Sequence, residues 1–307
     1  MKRQGIGAIL AIIGAICWGI QGPVSQFLFQ DASYSPEWLM GIKMSIAGVL
    51  ILLFTKTIKR QSITHIWRQK RDLGLLFLYA LLGLAAVQYF YLVTVSASNA
   101  GTATILQSLG TIIIVILTAL IYHHLPSRNE AIAVGLALIG TWLLVTRGDL
   151  FHLAISGRAL TLGLLLALSG ALQTMLPVSL LKRYDVMVIV GWAMVIGGIV
   201  FSIVHPFWVN PPKFTVGGVL GVAFIVFFGT MVSFICFTSS LKYVSPTVAG
   251  MLDTFEPLSA TIGSIAFLNT SFNGPEIIGG LLILSTVFVL AIPSQKSTKK
   301  ELQNNEK

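Results

Sequence analysis

The feature that most constrains this chain is a succession of apolar stretches, each near the ~20 residues an α-helix needs to cross a bilayer core. Ten are legible: 6–29, 37–55, 73–95, 100–122, 131–146, 159–181, 186–204, 215–238, 246–268 and 276–292. The fifth and tenth are the shortest, with ends marked by Glu130 and Arg147 and by Glu276 and Pro293. Apart from 17 residues between the second and third, the connections are short and leave no room for a soluble catalytic domain. The expected fold is an all-α membrane protein of ten transmembrane helices. Composition agrees: 10% of the 307 residues are charged, against roughly 25% in soluble domains. An apolar content of 55% excludes intrinsic disorder. The N-terminus, Lys2-Arg3 followed by apolar residues from Ile6, has the look of a signal peptide. Its run continues to Phe29 without a small-residue cleavage site, so it is read as a retained first span.

Loop charges orient the spans. With a cytoplasmic N-terminus, sixteen of the twenty Lys and Arg residues fall inside. Three, Arg147, Arg158 and Lys213, fall outside, and Lys43 lies within the second span. This bias favours an even span count in the plasma (inner) membrane, both termini cytoplasmic, with residues 294–307 as a polar tail. The net charge of +9 does not point to nucleic acid, because the basic residues sit between apolar runs. The densest stretch, 56–71, interleaves Ile58, Ile63, Ile66 and Trp67 and is expected to lie on anionic lipid headgroups. Cys17 and Cys236 and the five scattered histidines have no metal-ligand spacing, so neither a metal nor a cofactor is expected.

The chain also repeats itself. Pro23-Val24-Ser25 recurs as Pro177-Val178-Ser179, and Asp31 as Asp185, at an offset of 154. Asn99 to Leu106 lies over Ser245 to Leu252, and Glu130 over Glu276, at an offset of 146. The units are 6–147 and 157–293. A unit of five spans is odd, so its second copy enters the membrane from the opposite side. Inverted repeats let two halves rock about a site at the midplane, a recurrent solution for secondary transporters.

The residues also carry a family likeness. Trp18-Gly19, the run from Tyr89 to Leu106, Leu241-Lys242-Tyr243-Val244-Ser245-Pro246 and the stretch from Leu252 to Glu256-Pro257 resemble the drug/metabolite transporter superfamily, in its two-domain EamA-type form. The likeness runs over about residues 6–293. It implies ten helices in two inverted five-helix repeats, a central cavity and export of amino acids, amines or other small metabolites. Two places depart from the family pattern. Gly110-Thr111 stands where the family often has Glu-Pro, and His124-Leu125-Pro126 and Asn269-Thr270-Ser271 replace a short Gly-Glu-Arg-like turn.

Ionisable groups inside a membrane are costly and usually face a cavity or a partner. Asp253 and Glu256, three positions apart in the ninth span, are expected to share a helical face. Two carboxylates so close repel and favour holding a proton, as a proton-coupled site requires. They are candidates for coupling or for holding a cationic substrate, while Glu256-Pro257 has an alternative reading as a packing feature. At the 146 offset Asp253 falls on Gln107, which predicts that the two line one cavity. Lys43 has two readings, snorkelling to the interface or an internal counter-charge to Glu256 or Asp253. Gly7, Ala11, Ala15 and Gly19 form a small-residue ridge for close packing. Trp18, Gln21, Gln88, Tyr89, Asn99 and Gln173 complete the lining candidates. No nucleophile–base constellation or phosphate loop is present, so an enzyme is not expected. A sensor is disfavoured by the short loops, a flippase for a lipid or lipid-linked intermediate is the alternative to a metabolite exporter, and a homodimer is left open.

Overall fold

The computed structural model describes residues 2–30, 32–121, 128–146, 149, 155–209, 211–253, 255–268 and 273–291. Asp31, Arg147, Pro293, the 124–126 and 269–271 turns and the 294–307 tail lie outside these. Every regular element among the described residues is helical. In the first half these are α1 (Lys2–Gln30), α2 (Pro36–Thr57), α3 (Lys70–Ala97), α4 (Ala100–Ser108), α5 (Gly110–Ile121) and α6 (Arg128–Thr146). The second half has α7 (Gly157–Met175, drawn out as a 3-10 helix over Leu176–Lys182), α8 (Val186–Val204) and α9 (Val216–Ser240). It ends with α10 (Pro246–Leu252), α11 (Phe255–Leu268) and α12 (Gly274–Ala291).

Local chemistry sets the boundaries. Helix starts leave backbone N–H groups unpaired, and short polar side chains take them up. Ser35 accepts from Trp38 N–H at 3.1 Å, Asn99 from Thr102 N–H at 2.8 Å, and Asp185 from Met187 N–H at 2.9 Å. Pro177, which has no N–H to continue the ladder, lies where α7 tightens.

Among the described residues, seven helical stretches are long and apolar enough to cross a membrane: α1, α2, α3, the 100–117 run through α4 and α5, α7 with its 3-10 extension, α8 and α9. The other three expected spans are shorter as apolar helices. The fifth is apolar over Ala131–Leu143 and the tenth over Gly274–Thr286, and the ninth is divided between α10 and α11 at Asp253. The outer surface is apolar, with Ile9, Ile13, Ile203, Leu220, Phe267 and Phe288 exposed, while Lys43, Gln21, Gln88 and Glu256 are buried. That distribution suits a body solvated by lipid tails.

The halves interlock. α2 packs along α8 and α6 along α12, each helix against its own counterpart. α1 packs against α9 and α11 of the second half, and α7 against α3, α4 and α5 of the first. A π-helical segment interrupts α3 at Tyr79–Ala85 and α9 at Ile225–Val232, again 146 residues apart. Each contains a glycine at the helix crossing. A Cβ on Gly83 would lie 3.0 Å from Gln173 Cα, and one on Gly229 2.9 Å from Gln21 Cβ.

The basic 56–71 stretch does not simply rest on headgroups. Ile66 is fully buried, the Trp67 ring meets Trp192 edge-on at 4.8 Å, and Trp192 Nε1 donates to the Ile63 carbonyl at 2.6 Å. At the start of α3, buried Asp72 pairs with Arg183 at 2.7 Å and accepts from the Tyr184 hydroxyl at 2.7 Å. Burial and the Asp72 carboxylate push the Tyr184 hydroxyl above the ordinary tyrosine pKa.

Candidate functional site

α1 brings its small-residue ridge against the second half. Ala11 and Ala15 are fully buried, and a side chain on Gly19 would run into Ser259 Oγ and the Glu256 carbonyl. This close approach sets Trp18 and Gln21 beside the start of α11. Pro23, inside α1, cannot donate to the ladder, a local weakness that a neighbouring helix can support.

There the chain encloses a cavity of about 20 Å³, room for one or two water-sized species. Glu256, 3% exposed, forms one wall, and its Oε2 accepts from Gln107 Nε2 at 2.6 Å. Trp18, Gln21, Gln88, Tyr91, Gln173 and Phe234 form the rest with Val87. Trp18 packs edge-on against Phe234 at 4.8 Å, giving the cavity an aromatic side. Three elements of each half contribute: α1, α3 and α4, and α7, α9 and α11. Among the described residues, Gln21 Oε1, Gln88 Nε2, Gln173 Oε1 and the Tyr91 hydroxyl are buried without a hydrogen-bond partner. Buried polar groups are ordinarily satisfied, so four orphans around one cavity make it the candidate site.

Lys43 does not snorkel. It is fully buried and donates to Gln88 Oε1 at 2.6 Å. No carboxylate pairs with it among the described residues, so it is not bonded to Glu256 or Asp253. It touches the cavity indirectly, by fixing the amide whose other end faces inward.

Asp253 and Glu256 do not lie on consecutive turns of one continuous helix. The helix breaks at Asp253, and each carboxylate lines its own cavity. The second, also about 20 Å³, adjoins the first across Gln107 and Gln173, which line both. Gln107 and Asp253 thus share a cavity, the juxtaposition that the repeat offset predicts.

Trp18, Gln21, Gln88, Gln107, Gln173 and Glu256 therefore converge, with Asp253 next door and Lys43 behind Gln88. Asn99 and Tyr89 line neither cavity. Asn99 caps α4, and the half-buried Tyr89 ring lies tilted against Phe201 at 5.2 Å. Sequence reasoning missed Tyr91 and Phe234. Both had a signal: Tyr91 lies three positions after Gln88, on the same helical face, and Phe234 lies 146 residues beyond Gln88.

The model of the EamA-like transporter family matches residues 5–146 and again 157–292, nearly the whole chain. The chain belongs to this family. As an EamA-like transporter it is a multi-pass membrane protein, and its named relatives are transporters too. It is 33% identical over 296 residues to the uncharacterized inner membrane transporter YicL of Salmonella typhimurium, covering 95% of this chain and 97% of that one. An uncharacterized transporter of Methanothermobacter thermautotrophicus is 23% identical over 304 residues, 94% of this chain and 87% of the other. Among solved structures, a crystal structure at 14% identity aligns with a TM-score of 0.65 over 94% of this EamA-like chain and 98% of its own, and so shares the fold.

Proposed function

We propose that this EamA-like transporter exports small polar metabolites bearing an amine, amino acids or related compounds, by alternating access. In this reading ten helices span the membrane, the second half is inverted, and both termini are cytoplasmic. The observation that carries it is the buried polar cavity to which each half contributes three helices. Glu256 supplies the negative charge that a substrate amine or a coupling proton neutralises. The orphaned Gln21 and Gln173 oxygens add acceptors, Gln88 Nε2 adds a donor, and Trp18 and Phe234 supply apolar walls. At about 20 Å³ the cavity is far below the roughly 300–1,000 Å³ of ordinary ligand pockets. A metabolite enters only when the halves separate, and two halves meeting at one central cavity can rock for that purpose.

The test is ligand-induced thermal stabilisation of the purified protein across amino acids, amines, nucleosides, sugars, organic acids and lipids. An amine-bearing class should stabilise wild type but not Glu256→Gln. Equal stabilisation of both proteins removes Glu256 from the site, and a response to lipids alone replaces the exporter with a flippase.

A further inference from the structure

The Asp253 cavity has a chemistry of its own. Its polar wall includes Asp253, Gln107, Gln173, Ser108, Thr111 and Thr174. All three hydroxyl hydrogens are already committed to backbone carbonyls. Ser108 donates to Thr104 O at 3.0 Å, Thr111 to Gly250 O at 3.2 Å across the interface between halves, and Thr174 to Gly170 O at 3.0 Å. A hydroxyl that has given its hydrogen offers only lone pairs. Asp253 Oδ1 and Gln173 Oε1 are buried with no hydrogen-bond partner among the described residues. The polar part of the lining is therefore rich in oxygen acceptors, one of them on a carboxylate, and a buried carboxylate oxygen without a partner is costly.

Backbone geometry adds to this. α10 ends at Leu252, so one helix C-terminus, the negative end of its dipole, meets the cavity beside Asp253. Interrupted membrane helices that present carbonyls and C-terminal ends are a recurrent way of holding a small cation. Among the described residues, one carboxylate lines this cavity, since Glu256 faces the neighbouring one and is held there by Gln107. A single charge is balanced by a monovalent ion. The volume of about 20 Å³ leaves room for about one small, water-sized species.

We infer that the Asp253 cavity is a binding site for a monovalent cation of the size of sodium, held by hard oxygen ligands from both halves of the chain. The site adjoins the Glu256 cavity across Gln107 and Gln173, and its charge, on Asp253, is its own whichever metabolite that cavity takes. It joins α4 and α5 of the first half, through Ser108 and Thr111, to α7 and α10 of the second, so occupancy favours the arrangement in which those helices meet.

Gly170 offers a second handle. A Cβ there would come no closer than 3.9 Å to Val87 and 4.0 Å to Gln107, so alanine occupies space in the cavity without a clash. Replacing a helix-interior glycine with alanine also favours the helix, so the variant is expected to fold.

The experiment is thermal unfolding of the purified protein in sodium, potassium or choline chloride at one ionic strength and pH. Sodium should raise Tm over choline by about 2–4 °C, saturably. Asp253→Asn and Gly170→Ala should each abolish that increment, Gly170→Ala without lowering Tm in choline, and Thr111→Ser, which keeps the hydroxyl, should retain it. Equal Tm in all three salts overturns the inference. So does an undiminished sodium increment in a folded Gly170→Ala protein.

Discussion

The Lys43 ammonium, fully buried, donates to Gln88 Oε1 at 2.6 Å, and the nitrogen of the same amide faces the Glu256 cavity without a partner. A lysine amine buried in α2 thereby determines which end of Gln88 the cavity sees. Losing Gln88 strands the Lys43 donor, while losing both partners leaves an apolar contact. Gln88→Leu is expected to cost about 1–3 kcal/mol, the penalty of an unsatisfied buried donor. Lys43→Met with Gln88→Leu should recover most of it. A double-mutant cycle on unfolding in detergent measures the coupling, and additive losses would show that the bond is not a working pair.

Gln107 should matter to activity more than to folding. Its amide is the hydrogen-bond donor observed on Glu256. Gln107→Leu should reduce substrate efflux from proteoliposomes at least tenfold, while circular dichroism remains that of a folded helical protein. Wild-type efflux would make the hydrogen bond incidental.

Close approach of α1 and α11 predicts a steric contrast. Any side chain on Gly19 collides with Ser259 and the Glu256 carbonyl, whereas nothing lies within 4 Å of a Cβ on Gly5. Gly19→Val should destabilise by about 1–3 kcal/mol, the usual range for overpacking. Gly5→Ala should be neutral or slightly stabilising. Comparison of the two Tm values checks this.

Asp72 is buried against Arg183 and Tyr184, joining the start of α3 to the connection between α7 and α8. Asp72→Ala should lower Tm by several degrees, and Tyr184→Phe by less, since the ion pair survives. With the Tyr184 hydroxyl held protonated above its ordinary range, its bond to Asp72 should persist as pH rises through 10. Near-ultraviolet titration of Tyr184→Phe against wild type isolates that ionisation; a tyrosine lost at the ordinary value refutes the buried hydrogen bond.

The division of the chain into apolar elements was legible because hydropathy and loop charge report lipid exposure directly. Breaks within elements were not. A π-helical segment such as Tyr79–Ala85 has the composition of any apolar helix, and hydropathy averages straight across Asp253. The repeat offset did see across elements, pairing Gln107 with Asp253. Site residues were legible where they were long and polar, as with Gln21, Gln88, Gln107 and Gln173. Ser108, Thr111 and Thr174 were not, because a hydroxyl that bonds a backbone carbonyl is cheap to bury and leaves no anomaly in the pattern. Asn99 misled for a related reason: a polar residue at the start of a helix is most simply a cap.

The packing of α1 against α11 has a consequence for biosynthesis. Gly19 finds Ser259 only after some 240 further residues have been made. At about 5–20 residues per second that takes on the order of tens of seconds. Until α9 and α11 have been made, the face of α1 carrying Gln21 has no second-half partner, and lipid cannot hydrogen-bond it. The nascent first helix must therefore wait at the insertion machinery or against its own early neighbours, and the polar cavity closes only late in synthesis, when α11 supplies Glu256.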